Sequence, residues 1–103
     1  MTDYVAEVRK FSSEVNEGAV AAIVKYCGIA LHHADSSLVS ASDPDELATV
    51  RSGFAAKKLM LTPEAADAGI KAVVQRMKDT PKKSRVTFYY LLAEATGTLG
   101  KLA

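Results

Sequence analysis

His32, His33 and Asp35 are the closest this chain comes to a metal-ligating set. Imidazole nitrogens bind zinc, and a nearby aspartate can complete or orient them. Neighbouring residues of a helix point about 100° apart, however, so adjacent histidines are poorly placed to share one ion there. An exposed helix end, where a protonated histidine suits the dipole, is the favoured reading, and no metal or cofactor is expected. Cys27 beside Tyr26 offers a nucleophilic or redox pair. A reactive thiol needs an electropositive, partly exposed setting. Cys27 instead falls on an apolar stripe between Ile23 and Leu31, so a buried, inert thiol is expected. As the only cysteine it excludes an internal disulfide and a two-cysteine metal site within the chain.

The strongest functional feature is Thr80-Pro81-Lys82-Lys83-Ser84-Arg85. Asp43-Pro44-Asp45-Glu46 and Thr62-Pro63-Glu64 put acids in the first turn of a helix, whereas this third proline-marked start puts cations there. A helix N-terminus already holds roughly half a positive charge, so each exposed cation in that turn costs about 0.3–1 kcal/mol. Free backbone N–H groups together with cations can bind phosphate or carboxylate. Lys82, Lys83 and Arg85, with Lys78, are therefore the candidate anion- or partner-binding residues. Two plainer readings compete. Ser84 can be the actual cap, leaving the lysines ahead of the helix, and Lys71, Gln75, Lys78 and Lys82 recur at helical spacing as a solvated face. Phe88, Tyr89 and Tyr90 follow directly, and aromatics beside cations can stack bases. Consecutive helical positions spread these rings over about 200°, so they cannot form one platform. Core packing is expected for at least two of them, with one tyrosine hydroxyl reaching a buried partner.

The elements that hold these groups read as helices throughout. Tyr4, Val8, Phe11 and Val15 make one apolar stripe on a first helix, capped by Thr2 or Asp3. Asn16 caps a second, whose stripe is Val20, Ile23, Val24, Cys27 and Leu31. Ala19, Ala22, Tyr26 and Ala30 fill its flank, so it is apolar over most of its circumference, the pattern of a central helix. Gly28 ends it, kinks it or admits a crossing neighbour. Ala34 to Ser42 is a polar break. Asp43-Pro44 opens the third helix, with Glu46 in capping-box position. Its stripe is Leu47, Val50, Phe54 and Leu61, and Arg51, Lys57 and Lys58 point outward. Thr62-Pro63 opens the fourth, with Ala66, Ile70, Val73, Val74 and Met77 inward. Val86 to Ala95 forms the fifth and is ended by Gly97 and Gly100, with Leu99 and Leu102 folding back. The expected fold is all-α: one compact domain over residues 1–103 of about five helices, the second and fifth near the centre.

Composition narrows the function classes. The chain has 103 residues, 49% of them apolar and 24% charged, with a net charge of +1. It is not an overall electrostatic magnet for nucleic acid or membrane. The charge is uneven: residues 1–51 hold four Lys/Arg against eight Asp/Glu, and residues 52–103 hold nine against four. Such a dipolar molecule can pair with a charged partner or with itself, although the two signs also offset each other on one compact surface. The start Met1-Thr2-Asp3-Tyr4 lacks the pattern of a signal peptide. The longest apolar stretch, Ala19 to Leu31, is interrupted by Lys25 and falls short of the roughly twenty residues that span a bilayer. A cytoplasmic protein with no membrane partner is expected. There is no P-loop, no Gly-x-Gly-x-x-Gly, no His-Glu-x-x-His and no Gly-x-Ser-x-Gly.

The wording of Val20 to Leu31, of Ser42-Asp43-Pro44-Asp45-Glu46-Leu47 with Val50-Arg51, and of Arg85 to Glu94 resembles a small bacterial family of uncharacterised helical proteins, the domain of unknown function numbered twenty-eight fifty-three. The resemblance implies a compact helical stand-alone protein of about this length. It brings no activity, ligand or catalytic residue. The expected function is that of a non-catalytic cytoplasmic interaction module recognising a protein partner or itself. The alternative is nucleic-acid or anion binding through the basic segment 71–85.

Overall fold

The computed structural model of the chain describes residues 4–28, 31, 38–40, 42–80 and 83–102. Thr2, Asp3, His32, His33, Asp35 and Lys82, singled out above, lie outside the described residues. The fold class is all-α, as expected. Among the described residues five α-helices follow one another: α1 (Tyr4–Arg9), α2 (Glu17–Cys27), α3 (Pro44–Val50), α4 (Pro63–Arg76) and α5 (Arg85–Ala95). A π-helical segment, Arg51–Lys58, continues α3, and a 3₁₀ turn, Leu99–Lys101, follows α5. Two short strands, β1 (Leu38–Val39) and β2 (Lys83–Ser84), pair antiparallel, with Leu38 opposite Ser84 and Val39 opposite Lys83.

α5 is the axis of the molecule. Every residue from Val86 to Ala93 is buried, as befits a helix that is apolar around its whole circumference. Its start, Val86-Thr87-Phe88-Tyr89-Tyr90, is β-prone by composition. Packing on all sides overrides that weak preference. α2 shares the centre by one face only: Ala19, Val20 and Ile23 are buried, while Tyr26 keeps 40% of its surface. The alanines that fill its flank bring too little apolar area to need covering.

The caps read from the sequence form where local chemistry decides them. Asn16 accepts the Ala19 N–H at 3.1 Å, Asp43 the Asp45 N–H at 2.9 Å, and Thr62 the Ala65 N–H at 3.2 Å. Gly28 closes α2 at φ 48°. α1 is shorter than its apolar stripe suggests and ends at Arg9. The chain tightens there through i→i+3 bonds from Lys10 to Glu7 and from Phe11 to Val8, and Ser12 turns its hydroxyl to the Glu14 carbonyl and the Glu94 carboxylate. Phe11 and Val15 still pack against the core from beyond the helix.

The π segment changes the register of the third helix. In an α-helix Phe54 and Lys58 share a face. Here the Leu59 N–H bonds to the Phe54 carbonyl, five residues back, at 3.2 Å. Leu59 is buried and Lys58 stays outside. The wide helix closes through Met60 at φ 55°, while the Leu61 N–H returns to the Ala55 carbonyl at 3.0 Å.

α4 buries Ala66, Gly69, Ile70 and Val73, followed by Met77, and leaves Lys71, Gln75 and Lys78 exposed as the periodicity predicts. It packs tightly on α5 at Gly69. A Cβ there would stand 2.7 Å from Leu92 Cδ1 and 2.7 Å from Thr96 Cγ2. The leucine tip can move, but the Thr96 hydroxyl is held by the Leu92 carbonyl at 2.9 Å, which fixes its methyl. At the same end, Arg76 donates to Glu94 at 2.7 Å and to the Phe11 carbonyl, while Ser12 donates to Glu94 at 2.6 Å.

Gly69→Ala gains up to about 1 kcal/mol of helix propensity and loses about 1–3 kcal/mol by overpacking. The expected outcome is a net loss of about 1 kcal/mol in urea unfolding. The Glu94 carboxyl supplies a pH test. Burial raises its pKa, but the hydrogen bonds from Ser12 and Arg76 and the Arg76 charge outweigh burial and hold it below the ordinary value of 4.5. A carboxyl depressed in the folded state adds stability above its unfolded pKa and loses it as pH falls through the folded value. Glu94→Gln is therefore expected to be less stable than wild type at neutral pH, with a gap that narrows below pH about 4, as measured by denaturant melts across that range.

Candidate functional site

Of the basic candidates, the described residues include Lys78, Lys83 and Arg85, and each has different surroundings. Lys78 is exposed just beyond α4. Lys83 lies in β2 and donates its ammonium to the Thr80 carbonyl at 2.8 Å. Arg85 opens α5 with its guanidinium turned inward, only 12% exposed. Its Nη1 donates to the Tyr89 hydroxyl at 2.8 Å. Its Nη2 donates to the Leu38 carbonyl at 3.1 Å and to the Glu46 carboxylate. Glu46, expected to close a capping box on α3, is turned to this pairing instead. Burial pulls the Arg85 pKa down, but Tyr89 and Glu46 more than compensate, and it stays protonated. Burial also pushes the Tyr89 phenol up, against the pull of Arg85, so the hydroxyl is neutral and accepts a hydrogen bond from the guanidinium.

The three aromatics of α5 are all in the core. Tyr90 is the tyrosine whose hydroxyl finds a distant backbone partner: it accepts the Asn16 N–H at 2.8 Å. Tyr89 begins an aromatic ladder that leads outward. Its ring stacks on Phe54 with centroids 4.2 Å apart and planes 15° apart. Phe54 meets the edge of Tyr26 at 5.4 Å and 61°. Cations stand at both ends, Arg85 5.6 Å from the Tyr89 centroid and Lys58 5.6 Å from that of Tyr26. The outer end is accessible: Tyr26 is 40% and Met60 74% exposed.

Tyr26, Lys58 and Met60 were not legible as a group from the sequence. Tyr26 reads as flank filling on α2, and Met60 stands between two leucines. At the end of the π segment Lys58 stands over the ring and Met60 is exposed. Cys27, next to Tyr26, is half-buried, and burial pushes its thiol up to about 11 despite the nearby Arg85 charge. It is protonated at neutral pH and so a poor nucleophile. Among the described residues no group of His, Cys, Asp and Glu is placed to hold a metal ion, and no helix is long and apolar enough to cross a membrane.

These features define a small helical bundle in which Arg85 bonds to Tyr89 and Glu46, and a lysine-capped tyrosine reaches the surface. The chain belongs to a family described as protein of unknown function (DUF2853), which it matches over residues 3–100. No curated protein matches it.

The inward cation is testable. Removing one partner of a buried ion pair costs about 3–5 kcal/mol. The partial exposure of Glu46 sets the expectation for Arg85→Ala near the low end, about 3 kcal/mol. Arg85→Lys should recover less than half of that, because a single ammonium cannot fork among Tyr89, Leu38 and Glu46. Chemical denaturation of the two variants checks both.

Proposed function

We propose that the protein is a non-catalytic module that acts in the cytoplasm by recognising a protein partner or a second copy of itself, through the surface around Tyr26, Lys58 and Met60. The observation that carries this reading is Met60. It occupies the left-handed position that closes a helix, where glycine is the usual residue. A non-glycine side chain there costs roughly 1–2 kcal/mol, and this one is 74% exposed. The fold thus bears a strained backbone and a solvated thioether and gains little packing from either. Flexible, polarisable methionine and amphipathic tyrosine are side chains that recognition surfaces favour.

Nucleic-acid or anion binding through residues 71–85 has less support. Among the described residues, Arg85 turns inward, Lys83 bonds to the backbone and Arg76 pairs with Glu94, which leaves Lys71 on α4 and Lys78 just beyond it as exposed cations of the segment.

Met60→Gly separates binding from folding. Relief of the left-handed strain, roughly 1–2 kcal/mol, exceeds the added backbone entropy, about 0.5–1 kcal/mol, so stability should hold or rise slightly. Self-association measured by sedimentation, or capture of a partner from native extract, should weaken about tenfold or more. A wild-type protein that stays monomeric at high concentration and captures nothing, or a variant that binds as well as wild type, overturns the reading.

A further inference from the structure

An apolar groove of about 310 Å³ runs along α4 beside the end of α5, lined by Leu61, Ala65, Ala68, Ala72, Ala95 and Thr96. Small-molecule sites present a few free polar groups that orient the ligand. Among the described residues lining this groove, Thr96 alone has a polar side chain, and its hydroxyl is already taken by the Leu92 carbonyl and the Thr98 hydroxyl, each at 2.9 Å. Ala68, Ala72 and Ala95 are exposed. Side chains this short let another helix approach closely, since the distance between packed helices follows the side chains at their contact.

The charges beside the groove say which helix fits. Leu61, Ala65, Ala68 and Ala72 follow at intervals of four, three and four, the spacing by which paired helices interlock. Glu64 and Lys71 stand one heptad apart on a single flank of that seam. Both are exposed, and among the described residues neither belongs to an ion pair. They cannot reach each other within one copy, because the helix holds them about 10 Å apart along its axis. Asp67, one turn before Lys71, is occupied by Arg51 at 3.1 Å. In an antiparallel pair of such helices the same flank of each lines up. With Leu61 opposite Ala72 of a second copy, and Ala65 opposite its Ala68, Glu64 faces the second copy's Lys71. A twofold axis makes that contact twice. A parallel pair would leave both charges unanswered, since the opposite flank carries Thr62 and Gly69.

We infer that the protein forms a twofold dimer in which α4 of each copy lies antiparallel in the groove of the other, with Glu64 paired to Lys71 on both sides of the axis. The apolar seam supplies the contact, and the two ion pairs set its direction and register. The groove shares no residue with the surface around Tyr26, so the two readings fail separately.

The test is sedimentation of the full chain over a dilution series reaching about 1 mM. Wild type should pass from monomer to dimer within it. Ala68→Arg puts a long cation into the seam at a position that is exposed in the single copy. Its circular dichroism at low concentration should match wild type, while dimerisation weakens at least about tenfold. Lys71→Glu sets like charges against each other and should also weaken it about tenfold, and Glu64→Lys added to Lys71→Glu should restore it to within about threefold of wild type. A wild-type chain that stays monomeric throughout overturns the inference and leaves only a different protein as the partner. A dimer that Met60→Gly weakens and Ala68→Arg does not overturns it too, and keeps the reading at Tyr26. So does a double reversal that dimerises no better than Lys71→Glu alone.

Discussion

The burial of α5 on every side is the constraint on which the rest of the structure depends. Eight consecutive residues, Val86 to Ala93, are shut away from water, so neighbours must surround the helix. Each polar group that α5 carries inward must also find a partner, because an unmade buried hydrogen bond costs about 1–3 kcal/mol. Those partners position the neighbours. The Tyr90 hydroxyl takes the backbone N–H of Asn16, the residue whose side chain caps α2, and so fixes where that helix begins. Glu94 collects Arg76 from α4 and Ser12 from the chain leaving α1. Arg85 collects Glu46 from α3 and the Leu38 carbonyl from β1. Apolar packing fills the middle of α5, and polar bonds near its ends set the register.

Magnitudes explain why a cation stands at the start of this helix. Its repulsion from the dipole costs about 0.3–1 kcal/mol. Losing one side of a buried ion pair costs several times more, about 3–5 kcal/mol. A guanidinium can serve an acid, a carbonyl and a phenol at once, which no acidic first-turn residue could do for Glu46. The unfavourable dipole contact is therefore a minor accompaniment to a tertiary pairing. The charge is unusual for a helix start and ordinary for the place where α3, β1 and α5 meet.

This divides what the sequence discloses from what it hides. Caps at Asn16, Asp43 and Thr62 are legible because the acceptor and the N–H it satisfies lie within three residues of one another. The inward face of α4 is legible because periodicity records it. Glu46 shows the opposite case: its spacing from Asp43 suggests a local cap, but its partner is 39 residues away. The early end of α1 is hidden too, because Arg76 and Glu94 draw the chain at Phe11 and Ser12 out of the helix. So is the widened helix at Arg51–Lys58, for nothing local distinguishes it from an ordinary α-helix. Of the basic residues suspected of binding, sequence locates Lys83 and Arg85 at a helix start. It cannot show that one bonds the backbone and the other faces the core.

The same division says where function is to be sought. Tyr89, Tyr90, Arg85 and Glu94 are bound into the architecture, and an outside ligand could claim them only by breaking it. Thr87 sits among them on the same helix, more deeply buried than Arg85 or Glu94, yet its hydroxyl has no partner among the described residues. Met60 sits at a helix end where the backbone favours glycine, and its side chain meets solvent. One is a polar group inside and the other an apolar group outside, and each departs from the arrangement that stability alone favours. With Arg85, Tyr89, Tyr90 and Glu94 absorbed by folding, such departures are residues that the fold explains least. Real sequences tend to break local rules where binding requires it. The surface beside Met60 follows from that criterion.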